Sequence, residues 1–308
     1  MNPLLRLLRP HQWLKNGFVF VGLLFGHAWH DPAQATAALL AFAAFCLLSS
    51  AVYVFNDYID REQDQRHPEK KKRPLASGAV SVPAALALGA VCLAAGLALA
   101  FGANRAPWIF VAYLVLNAAY SLGAKHVVVL DVFIIAAGFM LRILAGTVGI
   151  GIPPTHWLLL CGLMLTLFLG FAKRRAELNA LTGDSVDAGA GEPGASGGEA
   201  ASGAAGHRRV LEHYSATMLD QFIVVAATGT VVSYALYTVN PETIVLHGTP
   251  WLIATVPFVL YGLLRYLFLL HRRGGGGDPA RELLTDPHLL AAFSGWLILV
   301  TALLAGWL

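Results

Sequence analysis

The residues best suited to chemistry are Asn56, Asp57, Asp60 and Asp64, which begin where an apolar run ends. On a helix, carboxylates at i, i+3 and i+7 share one face and repel one another when left unpaired. A divalent cation turns that repulsion into a site, because Mg²⁺ is held by a few carboxylates and shared with substrate phosphates. Basic residues follow at once: Arg66, Lys70, Lys71, Lys72 and Arg73. Acidic face and basic run together predict a Mg²⁺–diphosphate site at a membrane surface. Asp57, Asp60 and Asp64 are its expected metal ligands and catalytic groups, with Asn56, Arg66, Lys72 and Arg73 turned to the substrate. A plainer reading, a solvated loop touching anionic lipid, accounts for the lysines. It does not account for the acidic stripe, since carboxylates gain nothing beside an anionic membrane.

The elements that must position these residues are membrane helices. The chain has 308 residues, 57% of them hydrophobic and 13% charged, which is too apolar for an ordinary soluble domain. Apolar segments recur along its length and predict an all-α, polytopic membrane protein with nine spans, near 16–30, 35–55, 82–102, 107–122, 128–150, 155–172, 216–238, 250–270 and 288–307. The loops between them alternate strictly between short ones almost free of Lys and Arg and longer charged ones. Only Arg105 falls on the first side, so the positive-inside rule puts the N-terminus and the charged loops in the cytoplasm, at the cell (inner) membrane. Cys46, Cys92 and Cys161 lie inside apolar runs and read as small buried hydrophobes. Residues 183–206 are rich in Gly, Ala and Ser and read as a flexible linker inside one loop, and Gly274–Gly277 as a second hinge. Neither marks a domain boundary, so residues 1–308 read as one transmembrane catalytic domain.

Two further groups carry charge toward the same side. Tyr120, Ser121 and Lys125 lie in the loop between spans four and five, followed by Asp131 at the start of an apolar helix. An interfacial tyrosine and a snorkelling lysine would explain the first part without function. Asp131 tips the balance, and Arg142 lies near the same face about 16 Å deeper. An arginine at that depth is a functional-site hypothesis by default, with an ion pair or carbonyl clamp as its structural alternative. Lys173, Arg174 and Glu177 leave the sixth span together; as a plain feature they are a stop-transfer cluster. Asp220 and Arg265 are expected as a structural pair, and Asp286 as a helix cap before Pro287. Tyr234 and Tyr237 are weak candidates for lining a pocket.

The pattern Asn56-Asp57-x-x-Asp60-x-x-x-Asp64, with His67-Pro68 and Arg73-Pro74-Leu75-Ala76-Ser77-Gly78 behind it, resembles the UbiA family of membrane prenyltransferases. The likeness runs over nearly all of the membrane portion. It implies a UbiA-like helical bundle with a central cavity open to the cytoplasm, and Mg²⁺ and a diphosphate at the acidic motif. The chain departs from most of the family at Lys173-Arg174-Arg175-Ala176-Glu177-Leu178, where aromatic prenyltransferases of this type carry a second Asp-rich motif. One branch, the decaprenyl-phosphate phosphoribosyltransferases, resembles the chain there, in Arg9-Pro10-His11-Gln12-Trp13-Leu14-Lys15-Asn16, and in Tyr120-Ser121 with Lys125-His126. That branch implies transfer of 5-phosphoribose from phosphoribosyl pyrophosphate to a polyprenyl phosphate, supplying pentose for cell-envelope glycans. Lys15, Lys125, Arg142, Lys173 and Arg174 are then the candidates for holding phosphates, with Lys125 entered among the catalytic groups and Tyr120, Asp131 and Glu177 beside the substrate. Two alternatives stand: a prenyltransferase using a prenyl diphosphate donor and an aromatic or lipid acceptor, and, more distantly, a transporter or scaffold. Nothing in the pattern calls for nucleic acid, and a homo-oligomer is allowed.

Overall fold

A computed structural model describes residues 2–66, 70–187, 211–272 and 279–307. Among the described residues every regular element is helical. Seven helices among the described residues are long and apolar enough to cross a membrane, and Trp108–Leu122 is a shorter apolar helix. His67, Pro68, residues 188–206 and Gly274–Gly277 lie outside the described residues. The chain divides into two compact units, Met1–Pro153 with Gly194–His213, and Pro154–Pro193 with Tyr214–Leu308.

The first unit opens with α1 (Pro3–Leu8), a 3₁₀ stretch (Pro10–Phe20), α2 (Val21–Phe25) and a 3₁₀ turn (Ala28–His30). The expected span 16–30 is therefore not one continuous α-helix. Its main chain lies close against the end of the helix before Thr147: a Cβ on Gly22 would lie 1.9 Å from the Gly146 carbonyl oxygen, and one on Gly146 1.8 Å from that of Val19. The membrane-long helix α3 (Pro32–Ile59) follows, begun by the Asp31 carboxylate accepting from Ala33 and by Pro32 in the first turn. A short α4 (Arg61–Arg66) continues it. Helices α5 (Val82–Ala103), α6 (Trp108–Leu122) and α7 (Leu130–Ala145) complete the unit.

Helix α3 is the most enclosed of the spans and packs against α5, α6 and the Pro10–Phe20 stretch. Phe45 stands 4.6 Å from Phe110 and 5.3 Å from Tyr113, with Leu48 and Ile109 buried around them. Small residues let the helices close up, as expected where lipid gives no hydrophobic drive. A Cβ on Gly96 would meet the Leu48 side chain at 2.8 Å.

In the second unit, α8 (His156–Asp187) packs against α9 (Ala216–Val239). It runs five residues into the segment expected to begin a linker at 183. A short α10 (Pro241–His247), α11 (Val256–Arg272), α12 (Pro279–Thr285) and α13 (Pro287–Leu304) follow. Aromatic contacts tie it together, Phe168 to Tyr266 at 5.5 Å and Phe171 to Phe222 at 5.2 Å. Tyr234 exchanges a hydrogen bond with Thr255 at 2.7 Å and accepts one from Trp296, while Tyr237 meets His247 at 2.6 Å. These tyrosines lie in a buried polar network, so their hydroxyls are already partnered within the protein.

Candidate functional site: a carboxylate pair bridged by arginine

The acidic motif straddles a bend. Asn56 and Asp57 occupy the last turn of α3, Asp60 ends that helix, and Asp64 lies on α4. The bend separates what an unbroken helix would have kept together. Asp57 and Asp64 are both 3% exposed and converge on one nitrogen, Arg73 Nη1, which donates to Asp57 Oδ1 at 3.1 Å and to Asp64 Oδ2 at 2.6 Å. Asp57 Oδ1 also accepts from Arg9 Nη2 at 2.6 Å. Asp60 is half-buried and makes no ion pair among the described residues. No group of three or more His, Cys, Asp or Glu side chains among the described residues is placed to hold a metal together. The expected triad is thus, in this arrangement, a pair with Asp60 outside it.

The pair nevertheless fits a cation. Two buried carboxylates direct one oxygen each at a single positive group, and Arg73 is the stand-in. Neither Asp57 Oδ2 nor Asp64 Oδ1 has a hydrogen-bond partner among the described residues. Oxygens of this kind are what a hard divalent ion takes as ligands.

Arg9 is supplied by the N-terminal segment, which is laced along one stripe of α3. Its guanidinium lies 4.9 Å from the centre of the Tyr53 ring. Trp13 Nε1 donates to Ser50 Oγ at 3.1 Å, Ser50 Oγ donates to the Leu8 carbonyl at 2.8 Å, and Asn16 Nδ2 donates to Cys46 Sγ at 3.3 Å. Cys46, Ser50, Tyr53 and Asp57 recur at intervals of four, three and four residues, so one face of α3 receives the whole segment. Beneath it Leu7 packs with Val54, Leu75, Val80 and Ala85.

The second candidate group reaches the same end of this unit: Ser121 Oγ donates to Asn56 Oδ1 at 3.1 Å, joining the end of α6 to the acidic motif. Lys125 sits half-buried in the 3₁₀ turn Ala124–His126, Tyr120 is half-buried in the last turn of α6, and Lys15 is half-buried in the Pro10–Phe20 stretch. Asp131 is fully buried in the first turn of α7. Before it, Val129 has φ +68°, an unusual conformation for a β-branched residue. Arg66 and Lys72 are exposed.

Arg142 is buried, and its donors go to protein groups. Nε donates to Asn16 Oδ1 at 2.7 Å, Nη1 to the Gly138 carbonyl at 2.7 Å and Nη2 to Tyr113 Oη at 3.2 Å. The guanidinium also lies within 4.8 to 5.4 Å of the ring centres of Tyr113, Phe45 and Phe139. It fastens the N-terminal stretch to α6 and α7, the clamp that the sequence offered as its structural alternative.

In the second unit, Arg174 is 3% exposed and donates to Glu177 at 2.5 Å, with the more exposed Lys173 at 3.8 Å from the same carboxylate. Asp220 and Arg265 do not pair with each other. Asp220 takes Arg175 at 2.9 Å and His271 at 3.2 Å, and Arg265 holds Asp286 at 2.8 Å. Asp286 caps α13, accepting from the His288 and Leu289 amides. The Arg265 hydrogen bond, then those amides, draw its pKa down to about 2.

Sequence reading missed the roles of Arg9, Asn16, Tyr113 and Ser121. The conspicuous opening motif that contains Arg9 and Asn16 was the available signal. It also passed over Arg61, whose buried Nε has no hydrogen-bond partner among the described residues. A buried donor left this way is costly unless an acceptor arrives.

A helical, multi-pass membrane protein with a carboxylate–guanidinium cluster at the helix ends of its first unit is the class that fold and site define. The chain belongs to the UbiA prenyltransferase family, whose model matches residues 17–189, and it is an enzyme, a membrane-embedded transferase. Among its relatives, the decaprenyl-phosphate phosphoribosyltransferase of Corynebacterium glutamicum is 32% identical over 96% of this chain and 85% of its own length. That of Mycolicibacterium smegmatis is 31% identical over 96% and 91%. The fold matches a UbiA homolog from Archaeoglobus fulgidus, solved bound to GPP and Mg²⁺, with a TM-score of 0.64 and 19% identity over 98% of this chain and 97% of that one.

Proposed function

We propose that this enzyme transfers 5-phosphoribose from phosphoribosyl pyrophosphate to a polyprenyl phosphate, on the cytoplasmic face of the inner membrane. The full-length likeness to relatives named for that reaction carries the reading. Two features of the chain agree with it. Among the described residues the first unit holds a carboxylate pair bridged by arginine, and the Lys173–Arg174–Glu177 group of the second unit carries two cations and one carboxylate.

The reaction breaks the C1–O bond to pyrophosphate, which leaves with the electron pair, and forms a bond from C1 to a phosphate oxygen of the lipid. That oxygen is already anionic, so no general base is required. When bound, Mg²⁺ supplies charge neutralisation at the leaving pyrophosphate. Asp57 and Asp64 would hold it. Arg61 Nε offers a donor to a phosphate oxygen, and exposed Arg66 and Lys72 raise the local positive potential. Lys15, Lys125 and Arg174 are proposed phosphate contacts, each on its own element, with Asn56 placed by Ser121.

The test is an incubation of membranes carrying the enzyme with labelled phosphoribosyl pyrophosphate and decaprenyl phosphate. A labelled lipid that EDTA suppresses is the expected result. Labelled lipid formed from a prenyl diphosphate and an aromatic acceptor, and not from the sugar donor, would replace this reading with the prenyl-donor one.

A further inference from the structure

We propose that Arg73 is an exchangeable counter-ion: it holds the Asp57–Asp64 pair while the site is empty and passes to the diphosphate when a metal–diphosphate enters. The inference rests on the reading that this pair receives a divalent cation.

The two arginines at the pair are built differently. Arg9 meets Asp57 alone and lies over Tyr53. Both backbones are held by one core cluster, Arg9 through Leu7 and Arg73 through Leu75, so the difference lies in what each guanidinium touches. Arg73 meets both carboxylates with a single nitrogen and has no aromatic ring beneath it among the described contacts, its side chain being about as exposed as that of Arg9, 29% against 25%. It stands in the turn after the 3₁₀ segment Lys70–Lys72, with Lys71 and Lys72 exposed beside it. A long side chain in such a place can leave the pair without disturbing the core, whereas Arg9 would also give up the Tyr53 ring.

Charge gives the exchange its direction. Two carboxylates and two guanidinia cancel. A divalent cation arriving alone would stand beside Arg73 and leave the cluster strongly positive. A cation arriving with a diphosphate brings its own compensation, and the diphosphate gives the displaced guanidinium a bidentate partner. Metal and diphosphate therefore bind together far better than either binds alone, and Arg73 is the residue through which they are coupled.

The experiment is equilibrium dialysis of the purified, detergent-solubilised protein against radiolabelled Mn²⁺, with and without inorganic pyrophosphate. Wild type should bind Mn²⁺ weakly alone and at least tenfold more tightly with pyrophosphate. Arg73→Ala and Arg73→Gln should bind Mn²⁺ alone at least fivefold more tightly than wild type and lose most of the gain from pyrophosphate. Arg9→Gln should leave the pyrophosphate gain in place. Thermal unfolding identifies which variants are folded, and Arg73→Gln keeps the polar shape if Arg73→Ala does not fold. If wild type binds Mn²⁺ equally well with and without pyrophosphate, or the Arg73 variants bind it no better, the exchange is wrong and the metal site survives. If no form binds Mn²⁺ under either condition, the metal reading itself falls.

Discussion

Asp57 in the first unit and Asp286 in the second are both buried carboxylates paired with arginine, yet they are satisfied differently. Asp286 is 5% exposed and uses both oxygens: Oδ1 accepts from two backbone amides and Arg265 Nε, and Oδ2 accepts from Arg265 Nη2. It finishes a helix start and one bidentate ion pair. Asp57 is 3% exposed, takes two guanidinia on Oδ1 alone, and shares one of them with Asp64. A fully satisfied carboxylate serves the fold. One that is buried, leaves an oxygen without a protein partner among the described residues and stands beside another carboxylate keeps capacity for a further ligand.

Exchanging each aspartate for asparagine should break the comparison most sharply. Asp57→Asn and Asp64→Asn should each lower turnover by at least about 10²-fold, since several kcal/mol of charge stabilisation depend on the pair. Asp60→Asn, outside the pair, should lower turnover less than either while the protein stays folded in detergent. Asp286→Asn should leave turnover unchanged. Steady-state phosphoribosyl transfer beside size-exclusion profiles checks all four. Full activity in Asp57→Asn or Asp64→Asn would remove the metal assignment.

A second contrast lies between Arg73 and Arg142 within the first unit. Arg142 gives its hydrogen bonds to an amide, a carbonyl and a phenol that have no other way to bind so strongly at that depth. Arg142→Leu should destabilise the protein by about 1–3 kcal/mol, with the lower end favoured because side-chain hydrogen bonds in membranes average about 0.6 kcal/mol. Differential scanning fluorimetry in detergent measures it. Arg142→Lys should recover little, because one ammonium cannot copy three fixed donors. If either variant keeps its melting temperature and raises only the KM for the lipid phosphate, Arg142 is a substrate contact and not a clamp.

Much of the fold was legible because membrane helices announce themselves by apolar length: 35–55, 82–102 and 216–238 fall on observed helices, and 288–307 on one that ends at Leu304. The acidic motif was legible for the same reason: three carboxylates at a helix end have no membrane explanation. What spacing could not give was the bend at Asp60, which takes one carboxylate out of a set that an ideal helix would align. Nor could it give long-range pairs. Arg142 and Asn16 are 126 residues apart in sequence, and their contact depends on the glycines that bring Gly146 and Val19 together. The segment expected as the span 16–30 is not one continuous α-helix, a difference that hydropathy could not show because it reports burial, not hydrogen-bond geometry. A 3₁₀ stretch there has the same apolar content as an α-helix but rises about 2.0 Å per residue.

The smallest expected effect lies at Asp286 and sharpens the structural side of the comparison. Asparagine also caps helices well, so Asp286→Asn keeps the two backbone hydrogen bonds and deletes only the charge facing Arg265. The expected loss is about 1 kcal/mol, whereas Asp286→Ala, which also removes the cap, should lose about 2 kcal/mol. The carboxyl titrates at about 2 in the folded protein, below the ordinary aspartate range of about 3.9. Its charge-dependent stability is therefore present above about pH 4 and is lost as the pH falls toward 2. The melting temperatures of wild type and Asp286→Asn, compared from pH 7 down to the lowest pH at which both stay soluble, should differ least at the acid end. A gap that stays constant across that range would mean that the asparagine acts through packing, and the Arg265 pair would then contribute nothing measurable.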